Sequence, residues 1–146
     1  MKSTYKIIAL FISMLISSSA LSQSSTDALS TCMADNLNGK ERKSLAKWIF
    51  FAIGAHPEIK SYLNVTQRDV RVSDKHVGAL ITRLLTVDCS DQLKMAYASD
   101  PTSAEKAFEV VGKVAMQELM ANDEVNKAIG AYVQFADINK IEKILK

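Results

Sequence analysis

The chain has 146 residues, of which 48% are hydrophobic and 23% charged, with a formal net charge of +2. This is one domain's worth of sequence, large enough for a real core. Nothing in the charge balance favours nucleic acid or an anionic membrane surface as a partner.

The N-terminal segment, Met1–Ser22, opens with Lys2 and Lys6 and continues as the apolar run Ile7–Ile16. It closes on small residues, with Ala20 and Ser22 preceding a cut after Ser22. A charged start, a short apolar run and a small-residue exit make a secretory signal peptide. A membrane anchor is the competing reading, but the run is short against the roughly 20 apolar residues a span needs. No cysteine stands at the cut, which argues against a bacterial lipid anchor there. The expected division is a signal peptide, 1–22, and a helical domain, 23–146. Loss of Lys2 and Lys6 leaves 16 basic residues against 16 acidic ones.

An exported chain meets oxidising conditions, where two cysteines usually become one disulfide. Cys32 and Cys89 are therefore expected to be bridged. No C-x-x-C motif is present, so a redox-enzyme role has no local support.

Helical periodicity runs through the rest of the chain, and period-two alternation is nearly absent. The first helix is expected over Thr26–Leu37, with Leu29, Cys32, Met33, Asn36 and Leu37 on one face. Asn38-Gly39 reads as a helix–helix connection, with Gly39 near the C-terminal stop. The second helix, from about Lys40 to Ala55, is expected to be the centre of the molecule. At about 100° per residue, Lys43, Lys47 and Gly54 form a narrow stripe. Leu45, Trp48, Ile49, Ala52, Ile53 and Ala55 cover the opposite side, and Phe50 and Phe51 flank the stripe. Such a rod predicts neighbours on several sides.

His56-Pro57 interrupts it, and a short helix follows over Glu58–Leu63. Asn64–Val72 is the most irregular stretch, with a weak capping pair at Thr66 and Asp69. Ser73 is the expected N-cap of the next helix, whose inner face is Val77, Leu80, Ile81 and Leu84. A break near Asp88 precedes a further helix with Cys89, Leu93, Ala96 and Tyr97. Ser99-Asp100-Pro101-Thr102 is a turn. Ser103–Met120 is the cleanest amphipathic helix, with Ala104, Ala107, Phe108, Val111, Val114, Ala115 and Leu119 inward. Gly112 within it suggests close approach of a neighbour. Asn122-Asp123 caps a last long helix with Val125, Ile129, Tyr132, Val133 and Ala136 inside. Ile138, Ile141, Ile144 and Leu145 extend the apolar edge, and Lys140, Lys143 and Lys146 suit a helix C-terminus.

Catalytic and metal-binding patterns are sparse. His56 and His76 show neither H-x-x-x-H nor H-E-x-x-H spacing. His56 reads as a helix-end cap beside Pro57. His76 reads as a surface residue in a helix's first turn. Asp88 and Asp91 flank Cys89 without a calcium-loop pattern. There is no G-x-S-x-G elbow, P-loop or G-x-G-x-x-G. No cofactor, metal or catalytic residue is expected. Lys40, Arg42, Lys43 and Lys47 form one basic patch, either a solvated face or a surface for an acidic partner. Met33, Met95, Met116 and Met120 are either core fillers or an adaptable surface.

The segments GKERKSLAKWIFFAIGAHPEI (Gly39–Ile59) and VGKVAMQELM (Val111–Met120) resemble recurring segments in small exported helical proteins of Gram-negative bacteria. In plan the chain also resembles small periplasmic acid-stress chaperones, which are exported, all-helical and carry one disulfide.

The sequence thus predicts an all-α, single-domain, orthogonal or irregular bundle of five to seven helices stapled by Cys32–Cys89. The expected role is a non-enzymatic protein-binding module of the periplasm or secreted space, without membrane insertion after signal cleavage. The alternatives are an immunity or inhibitor protein against an envelope-acting toxin or hydrolase, a small-ligand carrier, and an enzyme built around His56.

Overall fold

The structure, a computed structural model, describes residues 17–145, with side chains described for 25–145. Most of the expected signal peptide lies outside the described residues. Among the described residues there are eight α-helices and no strand: α1 (Ser17–Asp35), α2 (Gly39–Ile53), α3 (Pro57–Lys60), α4 (Gln67–Arg83), α5 (Ser90–Ser99), α6 (Ser103–Met120), α7 (Asp123–Gly130) and α8 (Ile138–Ile144). A π-helical turn, Leu84–Asp88, joins α4 to α5, and a 3-10 turn, Ala131–Phe135, follows α7. None of the described helices is long and apolar enough to cross a membrane. The all-α, single-disulfide architecture is the one the sequence predicts, with the C-terminal region divided more finely.

Helix α6 is the beam of the bundle. It packs along α1 and α2 and more briefly on α5, while α2 also packs on α4 and α1 on α5. The reason lies in its buried residues, Ser103, Ala107, Val111 and Ala115. They recur every fourth position, so they form one ridge, and all are small, which lets flanking helices approach closely. Around this stripe the larger side chains of α1 (Leu29, Met33), α2 (Leu45), α4 (Val77, Leu80) and the π turn (Leu84) close the core. Gly112 is not part of this contact. A Cβ there would meet nothing within 4 Å, so the expected close approach is made by alanines instead.

Cys32 and Cys89 form the predicted disulfide, with Cα atoms 5.9 Å apart. It ties α1 to the start of α5. The break expected near Asp88 is present, and Cys89 leaves the helical region there with φ −125° and ψ 28°. Arg83 fastens the same corner. Its guanidinium pairs with Asp88 at 2.8 Å and with Glu41 at 3.1 Å, and it donates to the Asn36 carbonyl at 3.4 Å. Arg42 donates to the Ala34 carbonyl at 3.4 Å. The end of α1 has no basic residue of its own, so two arginines from elsewhere supply the cations a helix C-terminus favours.

Helix starts follow the strongest local caps. Asn38 and Glu41 form a reciprocal capping box at α2, each bond 3.0 Å. Gly39 is therefore the first residue of α2 and not the stop of α1. Thr66 and Asp69 form a second box, which sets the start of α4 at Gln67. Ser73, expected as the cap, is instead buried inside α4. The box prevails because it satisfies two backbone donors reciprocally, where a lone serine satisfies one. His76 accordingly sits well inside α4 and not in its first turn. The Thr66 hydroxyl, then its backbone N–H, hold the Asp69 carboxyl below its ordinary pKa of 3.8.

The second half of α2 departs from expectation. Leu45 and Ala46 are buried, and Trp48 and Ile49 pack against the core. Ala52, Ile53 and Ala55 are exposed, as is Phe50. Among the described residues, α4 and α6 are the helices that pack along α2. The last region departs further. Ile129, Tyr132 and Val133, expected inside, are 50%, 68% and 48% exposed.

Candidate functional site

Two clefts lie on either side of the exposed end of α2. The first is a groove lined by Lys43, Ala46, Lys47, Phe50 and Leu119. Lys43 and Lys47 stand one helical turn apart on α2 and rim it, while Leu119 closes it from the end of α6. Exposed Lys43 is 3.8 Å from half-buried Glu118, a long surface pair that holds little energy. Three of the four basic residues singled out in the sequence, Lys40, Lys43 and Lys47, are exposed. Arg42 does not join them, because its guanidinium turns inward to the end of α1. The patch is therefore a lysine rim around an apolar floor, and Lys40 lies outside the groove.

The second cleft measures about 340 Å³ and lies among α2, α3 and α4. Trp48, Phe51, Ala52, Leu63, Val65 and Val70 give it apolar walls, with Lys60, Gln67 and Asp74 as polar members. Trp48 is held on two sides. Its indole N–H donates to Asp74 Oδ1 at 2.9 Å, and its ring meets Phe108 edge-on with centroids 6.1 Å apart. Gly54 lets Leu63 pack closely against the end of α2. A Cβ there would collide with the Leu63 side chain and stand 3.2 Å from the Phe50 carbonyl oxygen. Sequence reading placed Gly54 on the polar stripe. It missed the cleft because Leu63 and Val65 reach it from a connecting segment without periodicity.

His56 lines neither cleft. It is the N-cap of α3, where its Nδ1 accepts the Glu58 N–H at 3.3 Å. It thus opens a helix and does not close one, and among the described residues no carboxylate pairs with it. Among the described residues no group of three His, Cys, Asp or Glu side chains converges on a point. Asp100 is the most perturbed carboxylate. It accepts from Lys106 Nζ at 2.6 Å and from the Thr102 N–H at 2.9 Å and hydroxyl at 2.8 Å. Lys106 foremost, then Thr102, bring its pKa down to about 2. These bonds fix the turn before α6, a structural task.

Comparisons with protein-family models, with curated proteins and with solved structures give no match.

Proposed function

We propose that this chain is an exported, non-enzymatic binding module that docks on another protein through the groove beside α2. The observation that carries the reading is the pairing of an apolar floor, Ala46, Phe50 and Leu119, with the lysine rim of Lys43 and Lys47. Apolar anchors surrounded by polar rims are the usual anatomy of protein interfaces. The rim selects a partner with carboxylates around its own apolar anchor. The test is recovery of partners on the tagged protein from periplasm, followed by binding measurements with variants. Phe50→Asp and Lys43→Glu/Lys47→Glu are each expected to weaken a true partner at least tenfold. Unchanged binding by both variants contradicts the groove as the docking site.

The second cleft favours a second reading, carriage of a small apolar molecule. Its volume falls within the range of small-molecule pockets, about 300–1,000 Å³. Trp48 is the only tryptophan, so its fluorescence reports occupancy directly. Titration with a small apolar probe is expected to shift the emission saturably. An unmoved spectrum contradicts this reading.

A further inference from the structure

The cleft among α2, α3 and α4 has two unlike ends. Its α2 wall is the stripe Trp48, Phe51, Ala52 and Ala55, and its α4 wall is Gln67, Val70 and Asp74. The Trp48 indole N–H donates to Asp74 at 2.9 Å, so this pair marks one end. Leu63 marks the other, where it packs on Gly54 at the end of α2. Leu63 and Val65 lead into Gln67, so α4 enters the cleft at that end and runs back toward Trp48. Gln67 and Asp74 are then about 10 Å apart along α4, at about 1.5 Å a residue. The cleft is an oblong with the Trp48–Asp74 bond at one end and Gly54, Leu63 and Gln67 at the other.

Lys60 belongs to the second end. Its carbonyl accepts the Leu63 N–H at 3.3 Å, which sets Lys60 one turn from the contact of Leu63 with Gly54. Lys60 is exposed, and among the described residues no carboxylate pairs with it. Gln67 adds an amide donor at the same end. Asp74 is committed differently, because it accepts the indole N–H and holds Trp48 in the wall. Its charge repels a second carboxylate from that end. Between the two ends the walls are apolar, with Phe51, Ala52 and Val70. Mostly apolar walls with a few placed polar groups are the usual make-up of a small-molecule site. The molecule that matches this order is a slender apolar chain with one terminal carboxylate. Its head meets Lys60 and Gln67, and its tail runs over Val70 toward the Trp48 ring.

Resting on the carrier reading above, we propose that the cleft takes unbranched alkyl carboxylates, with Lys60 holding the head group and Val70 and Trp48 lining the tail. The test is equilibrium dialysis of the purified protein against octanoate, octanol and octylamine in turn. Octanoate is expected to be retained roughly two- to fivefold more tightly than octanol, as suits an exposed ion pair, with octylamine the weakest of the three. Raised salt should shrink that advantage. Lys60→Met is expected to remove it while leaving octanol retention unchanged, which also shows the cleft intact. Ala52→Phe sets a ring in the cleft and is expected to abolish retention of both. Equal retention of octanoate and octanol, lost in Ala52→Phe, overturns the carboxylate preference and leaves the carrier reading standing. Retention of none of the three removes both. Tightest retention of octylamine assigns the head group to Asp74 and overturns the proposal. An octanoate advantage that survives Lys60→Met overturns it too, as does octanoate retention that survives Ala52→Phe.

Discussion

The body, α1 to α6, and the arm, from α7 onward, carry apolar residues at the same helical spacing but put them to different use. In the body, Leu29, Met33, Leu45, Leu84 and Val111 are fully enclosed. In the arm, Ile129, Phe135, Ile141 and Ile144 face outward. The contrast comes from what lies opposite. The small-residue ridge of α6 offers α1 and α2 a close seat, and the disulfide and Arg83 lock one corner. After the Ala121-Asn122 turn the chain leaves that ridge behind. A periodic pattern identifies a sticky face, and only the arrangement of the other helices decides whether anything of the same chain covers it.

The comparison can be broken or sharpened by substitution, beginning with the largest expected effect. Replacing both Cys32 and Cys89 with serine releases a cross-link separated by 57 residues. In the chain-entropy model this lowers stability by about 4 kcal/mol, read as the shift in a urea unfolding curve. Next, Leu29→Ala and Leu45→Ala should each cost about 3 kcal/mol, the usual loss for an enclosed leucine. Ile141→Ala in the arm should cost the body no more than about 0.5 kcal/mol. Equal losses at Leu29 and Ile141 would abolish the distinction between the two regions.

Smaller effects test the caps. Asn38→Ala and Thr66→Ala should each lower stability by about 1 kcal/mol, whereas Ser73→Asp should be more damaging than Thr66→Ala, because Ser73 is buried. The smallest effect belongs to Asp100. Its folded pKa of about 2 lies below its ordinary value of 3.8. Its contribution is therefore fully present above pH 4 or so and is lost as pH falls through about 2. NMR titration of that carboxyl should show its midpoint there, and Lys106→Ala should raise it.

Features with a local cause could be read from the sequence. The bridge followed from two cysteines in a chain expected to be exported. The turn at Asp100-Pro101 and the full span of α6 followed from proline and from uninterrupted periodicity. The break at Asp88 followed from two apolar series out of phase. Features decided by competition or by distant packing could not. Thr66 and Asp69 looked weak beside Ser73, yet reciprocal bonding made them the cap. Ile129, Tyr132 and Val133 had the spacing of an inner face, and no helix among the described residues encloses them. Of the basic patch, Lys43 and Lys47 could be placed on one face of α2. That Arg42 would be drawn away depended on the Ala34 carbonyl near the end of α1, on another helix.

Hydrogen exchange separates the regions most directly. The amides of α1, α2, α4 and α6 should be strongly protected, since these helices pack on one another. Protection of α7 and α8 should be slight, since nearly all their side chains are exposed. Arm amides as slow to exchange as the body's would contradict this account.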